Sequence, residues 1–193
     1  MIRTFIAVAL SPEIRQNLSS FQQELKKTLP PLNWVRTESI HLTLRFLGSI
    51  EPETVPQLLS ALKPIGDKAD KFSLNVQGVG VFPNRQRPRV FWVGVSGQTQ
   101  SLHRLVFDVE TALKSLGFAS EDKTFHPHLT MARIKRENAV VGSALLEKGI
   151  FESDRHLGPL TVDRFDLFQS DFNSAGACYT SIGTVLLSAK SLG

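Results

Sequence analysis

Ile40-His41-Leu42-Thr43-Leu44-Arg45-Phe46-Leu47-Gly48 decides how this chain folds. In an extended strand, Ile40, Leu42, Leu44 and Phe46 point to one side and His41, Thr43 and Arg45 to the other. One side is a strip for a core. The other carries an imidazole, a hydroxyl and a guanidinium, with about 7 Å of strand rise from His41 to Thr43. A lone His-x-Thr on a surface strand is ordinarily idle. Here His126-Pro127-His128-Leu129-Thr130-Met131-Ala132-Arg133 repeats the pattern, again interleaved with apolar residues. Two such strips facing each other would make a site.

Outward from this stretch the chain alternates strands and helices. Residues 3–10 form a nearly continuous apolar run that stops at Ser11-Pro12, a buried strand. Ser11 suits a helix cap, Pro12 the first turn and Glu13 its positive end. Ile14, Leu18, Phe21 and Leu25 recur at helical spacing, so a helix is predicted over 12–29, stopped by Pro30-Pro31. The key strand is expected over 39–47, a helix over 52–62, a strand over 72–82 and a turn over 83–88. A strand over 89–95 and a helix over 98–116 precede the second motif strand at 128–133. A helix over 138–148 and single strands over 160–168 and 179–187 complete the chain.

The two halves nearly repeat. A shift of 86 lays Phe5 on Phe91, Val76 on Val162, Val81 on Leu167 and Phe82 on Phe168; a shift of 87 lays His41 on His128 and Thr43 on Thr130. Such a period is too long for a solenoid. It predicts an α+β fold, bilobal and duplicated, with antiparallel sheets lining a central cleft and helices packed outside. The halves, roughly 1–86 and 87–193 of a single domain over 1–193, would be related by a pseudo-twofold that sets the His-Thr faces across the cleft.

With 193 residues, 41% of them apolar and 21% charged, the chain can bury a full interior. Twenty-two basic against 18 acidic residues give +4, compatible with a polyanionic partner without requiring one. The single cysteine, Cys178, excludes an intrachain disulfide and an all-cysteine metal site; it is expected as a small buried hydrophobe, and the cytoplasm as the compartment. The apolar opening is too short and lacks the basic leader of a signal peptide. No run approaches the roughly 18 apolar residues of a membrane span.

Two imidazoles facing one cleft suit paired acid–base work near neutral pH, because an ordinary histidine titrates near 6.5 and one can hold a proton that the other lacks. Two hydroxyls beside them can donate to the oxygens of an anion. In-line displacement at phosphorus needs this set: a base on the attacking water, an acid on the leaving oxygen and donors between. Nothing in that reaction demands a metal or a cofactor.

His41-Leu-Thr-Leu and His128-Leu-Thr-Met resemble the paired His-x-Thr-x motifs of the two-histidine phosphoesterases. Arg3-Thr-Phe-Ile-Ala-Val, Gly78-Val-Gly-Val-Phe-Pro83 and the whole of Phe125–Arg133 extend the resemblance to the bacterial and archaeal RNA 2′,3′-cyclic phosphodiesterases, also known as 2′-5′ RNA ligases, over most of the chain. The resemblance implies a groove lined by both motifs and hydrolysis of a terminal 2′,3′-cyclic phosphate to a 2′-phosphomonoester, without a metal. It implies His41 as proton donor to the 3′ oxygen, His128 as the base on water, and Thr43 and Thr130 as phosphate-oxygen ligands. It also allows 2′-5′ ligation as a weak reverse activity. The implied partner is RNA with a 2′,3′-cyclic phosphate end, or a cyclic nucleotide, met by a monomer away from any membrane.

Arg45 and Arg133 are further candidates for phosphate contact. Strict alternation puts Arg45 on the His41 face but Arg133 opposite His128, so Arg133 needs a bulge to reach in. Arg85, Arg87 and Arg89 read as a solvated turn or an RNA-backbone contact. Trp34 and Trp92 offer stacking surfaces, with Trp92 assigned to the core. His126 is given a supporting role, and His103 and His156 none. Two rivals stand beside the phosphodiesterase: a catalytically idle RNA- or nucleotide-binding module on the same fold, and a metal hydrolase using His41, His126 and His128. The first would need no matched histidines; the second lacks carboxylates on the motif strands.

Overall fold

The computed structural model of the chain describes residues 1–122, 124–135, 140–152, 155–173 and 176–188. In chain order the elements are β1 (Ile2–Ala9), α1 (Pro12–Lys26), β2 (Asn33–Trp34), β3 (His41–Ile50), α2 (Val55–Lys68), β4 (Phe72–Phe82), β5 (Val90–Gly97), α3 (Thr99–Ser115), β6 (His128–Arg133), α4 (Val140–Glu147), β7 (His156–Val162), β8 (Arg164–Asn173) and β9 (Gly176–Leu186). The local signals explain most of these bounds. The Ser11 hydroxyl accepts from the Ile14 amide at 3.2 Å, Pro12 opens α1, and Ile14, Leu18, Phe21 and Leu25 bury its stripe. This helix ends at Lys26, three residues before the predicted stop. A 3-10 turn at Pro52–Thr54 leads into α2, which runs on through Pro64 to Lys68 where a shorter helix was expected. The predicted start of the helix at 138 lies outside the described residues.

The nine strands form one antiparallel sheet, ordered β7-β4-β5-β6-β3-β1-β8-β9, with β2 on β6, curled into a half-barrel. Its centre is the pair Leu42↔Leu129, the one ladder position shared by β3 and β6. To either side the order mirrors: β3, β1, β8 and β9 form one lobe, β6, β5, β4 and β7 the other. Each half of the sequence lends strands to the other lobe, the first half β4 and the second β8 and β9. β4, from the first half, pairs with β5; β8, from the second, pairs with β1. This exchange interlocks the lobes. The strand expected over 160–168 is two strands, β7 and β8, on opposite lobes, with Asp163 between them.

The helices cover the convex face. Leu58 and Leu62 of α2, and Leu102, Leu105, Val109 and Leu113 of α3, pack with Ile6, Leu42, Phe91 and Leu129 of the sheet in one core. The fit is close where α2 crosses β9: a Cβ on Gly66 would lie 2.3 Å from the Leu186 carbonyl oxygen, and one on Gly183 2.5 Å from Leu59. Cys178 is exposed on the edge strand β9, not buried as expected. Among the described residues no helix is long and apolar enough to cross a membrane.

Candidate active site

On the concave face, β3 and β6 each present a His and a Thr. Leu42, Leu44, Leu129 and Met131 go to the core, which leaves His41, Thr43, His128 and Thr130 half-buried on the other side. Extending the Leu42↔Leu129 register sets Thr130 beside His41 and His128 beside Thr43. Neither threonine hydroxyl has a hydrogen-bond partner among the described residues, so both are available to a ligand.

The two imidazoles are clamped alike. His41 Nδ1 lies 2.9 Å from the Ser39 carbonyl oxygen, and His128 Nδ1 lies 2.6 Å from that of His126. A carbonyl can only accept, so each Nδ1 carries the hydrogen and each Nε2 is left for the cleft. The Ser39 carbonyl belongs to a 3-10 turn, Thr37–Ser39, closed by the Ile40 amide on the Thr37 oxygen. His126 therefore serves His128 through its backbone, consistent with a supporting role. Burial pushes the His41 pKa down to about 4 against the opposing pull of the Ser39 carbonyl, and His128 adds a like charge. His128 is also lowered, again chiefly by burial, with the His126 carbonyl opposing and the charges of His126 and Arg133 contributing.

Two matched bulges decide the arginines. In β1–β3, Ala7 faces Thr43 and Ile6 faces Arg45, so Leu44 is an extra residue; in β5–β6, Trp92 faces Thr130 and Phe91 faces Ala132, so Met131 is extra. Each bulge flips the alternation beyond it. Arg45, assigned to the His41 face, is instead 8% exposed on the helix side, with Nε 2.5 Å from Glu110 of α3 and a terminal nitrogen 2.7 Å from Glu121. It also donates to the Ala119 and Phe46 carbonyls. Arg45 is thus not a phosphate contact; it ties β3 to the segment leading to the second motif. Phe46, assigned to the core strip, is 59% exposed with its ring 6.0 Å from Phe5. Its counterpart Arg133 is swung outward to the concave face, close enough to lower the His128 pKa.

Aromatic rings wall both imidazoles. Phe5 stacks on His41 at 4.5 Å, Tyr179 meets it edge-on at 5.1 Å, and Phe168 lies 6.3 Å away. Phe82 meets His128 edge-on at 5.0 Å and Trp92 lies at 6.3 Å. Trp92 is therefore a cleft residue, not a core one. Its indole rests on Gly80, where a Cβ would come within 2.2 Å of the ring. Trp34 packs on the core ring of Phe91 instead, at 6.4 Å. Two hollows of about 420 and 860 Å3, one beside Arg45 and one between α2 and α3, include neither histidine. Among the described residues no three His, Cys, Asp or Glu side chains converge in a metal-holding group.

The family model for "LigT like Phosphoesterase" matches residues 8–92 and again 93–179, each match holding one His-x-Thr strand. The chain belongs to the LigT-like phosphoesterase family. It is 34% identical, over 86% of its length and 92% of the relative's, to the RNA 2′,3′-cyclic phosphodiesterase of Aeropyrum pernix. It is 40% identical to the enzyme of that name from Geobacillus stearothermophilus, over 67% of this chain but only 41% of that longer protein. The crystal structure of E. coli LigT complexed with 3′-AMP superposes with a TM-score of 0.76 at 25% identity, covering 97% of this chain and 98% of that one.

In this LigT-like phosphoesterase the sequence pointed to the imidazoles and hydroxyls but not to the rings around them. The signal for two of those rings lay in the repeat, which aligns Phe82 with Phe168. Nothing local in β9 marks Tyr179. Two imidazoles on a partly dried surface, each with Nε2 directed to the cleft, can act as a pair: one neutral ring takes a proton from one oxygen while the other, protonated at Nε2, hands one to another across an anion held between the threonines.

Proposed function

We propose that this phosphoesterase opens the 2′,3′-cyclic phosphate at the end of an RNA to leave a 2′-phosphomonoester, with no metal in the reaction. The observation that carries the reading is the matched clamping of His41 and His128, which leaves two Nε2 atoms on one concave face of twofold-related strands. The names of the Aeropyrum and Geobacillus relatives and the 3′-AMP bound to E. coli LigT support a nucleotide phosphate as the group handled.

His128 Nε2 takes a proton from water as its oxygen attacks phosphorus. The bond from phosphorus to O3′ breaks, and protonated His41 Nε2 supplies the hydrogen to that oxygen, leaving a 3′-hydroxyl and a 2′-phosphate. Each group is worth about 10²–10⁴ in rate. Thr43 and Thr130 donate to the non-bridging oxygens, and the outward-facing Arg133 adds a charge-assisted contact. The same groups run in reverse join a 5′-hydroxyl to the cyclic phosphate, a weak 2′-5′ ligation by microscopic reversibility. We place the protein in the cytoplasm as a monomer, where one exposed free thiol is compatible with the reducing conditions.

The test is turnover of a short RNA ending in a 2′,3′-cyclic phosphate, with EDTA present and the products resolved by isomer. Formation of the 2′-phosphate is expected. A folded protein that releases only the 3′-phosphate, or that turns over only after zinc or manganese is restored, contradicts the proposal. A folded protein that binds the RNA but never converts it is the idle binding module.

A further inference from the structure

The pseudo-twofold is broken at the rim of the concave face, and the break is one of charge. Beyond Phe82, whose ring touches His128 at 5.0 Å and lies 6.1 Å from His126, the β4–β5 loop carries Arg85, Arg87 and Arg89. Val90 then pairs with Arg133, so four arginines line one end of the His128 lobe. A shift of 86 maps this loop onto the β8–β9 hairpin beyond Phe168, where Gln169, Ser170, Asp171, Phe172 and Asn173 carry no cation. The mate of Arg133 is Phe46. One end of the cleft is basic; the other is aromatic and acidic.

The basic loop is held from behind. The Arg89 amide closes it on the Phe82 carbonyl at 2.6 Å, and the Asn84 carboxamide accepts from the Arg87 amide at 2.9 Å. The Arg85 guanidinium lies 4.3 Å over the Phe151 ring, and Gly142 of α4 lets the Arg85 carbonyl pack close, where a Cβ would sit 2.2 Å away. Arg85 and Arg87 are exposed, and among the described residues none of the four arginines has a carboxylate within ion-pair distance. Cations on a fixed loop with no protein anion are matched to the phosphates of a backbone. Arg85 is three residues past the Phe82 ring, a reach of at most about 11 Å of chain.

We propose that the RNA strand 5′ of the terminal cyclic phosphate leaves the cleft over the β4–β5 loop, with Arg85 and Arg87 contacting its first backbone phosphates, so that the enzyme favours oligonucleotide ends over cyclic mononucleotides. This rests on the function proposed above. A cyclic mononucleotide has no upstream phosphodiester and gains nothing from the loop.

The experiment compares kcat/KM for a short RNA ending in 2′,3′-cyclic phosphate with that for a 2′,3′-cyclic mononucleotide, across a salt series. The variants are Arg85→Gln/Arg87→Gln and Arg87→Glu alone; the exposed Arg87 side chain makes no hydrogen bond, ion pair or cation–π contact among the described residues, only its backbone amide being tied, to Asn84. The oligonucleotide-to-mononucleotide ratio is expected to fall roughly tenfold at low salt in the double variant. The log–log salt slope for the oligonucleotide is expected to flatten by about 0.7 for each backbone phosphate no longer neutralised by an arginine. An unchanged ratio, or equal losses on both substrates, overturns the proposed path while leaving the chemistry standing. A wild-type protein that opens neither substrate overturns the function reading and this path with it.

Discussion

His41 and His128 each hold a hydrogen at Nδ1 against a carbonyl two residues upstream, and burial disfavours a second proton on either ring. A singly protonated pair is then populated only below the ordinary histidine value, and because His41 is held down to about 4 the roles proposed above draw on the minor form, in which the proton sits on His41 and His128 is neutral. We predict a bell-shaped kcat/KM with its alkaline limb below the ordinary histidine value of 6.5. The kcat profile moves alkaline of it, because a bound phosphate favours the charged rings. An alkaline limb of kcat/KM above neutrality would count against this environment. The same depression has a cost for the fold: as pH falls from 6.5 towards 4, the unfolded chain takes up the proton that buried His41 refuses, so stability falls through that window. Strand alternation alone made these two residues and their threonines legible, because within His41–Thr43 and His128–Thr130 nothing interrupts it. Arg45 and Phe46 were misplaced because the bulge that turns them is set by the register of β1, a partner far along the chain.

At the scale of elements, Arg45 is a tie between β3, α3 and the segment before the second motif. Its guanidinium meets Glu110, Glu121 and the Ala119 carbonyl in a nearly buried setting. Removing one partner from such a cluster strands the others, and Arg45→Ala is expected to destabilise by roughly 3–5 kcal/mol in urea unfolding. A change below about 1 kcal/mol would mean that the cluster is solvated like an ordinary surface pair. The helices were legible from caps and apolar spacing, as Ser11-Pro12 and the Leu102–Leu113 stripe illustrate. The break between β7 and β8 at Asp163 was not, since the two strands run in the same sense and Val162-Asp163-Arg164 holds no glycine or proline to mark where the chain passes from one lobe to the other. Missing it also hid the strand that carries Phe168 to His41.

For the whole molecule, the repeat made duplication legible and the exchange of β4 and β8 illegible, because pairing partners are chosen by lobe geometry rather than by neighbours in sequence. The exchange matters to function. It brings Phe82 of the first half to His128 of the second, and Phe168 of the second half to His41 of the first, so neither half of the sequence builds a complete half of the site. The central claim is that this assembly makes two imidazoles one catalytic pair. It is tested most directly by kcat/KM of His41→Ala and His128→Ala on an RNA 2′,3′-cyclic phosphate, each variant checked for native folding. Each is predicted to lose at least about 10² in rate. Wild-type turnover in either variant would contradict the account.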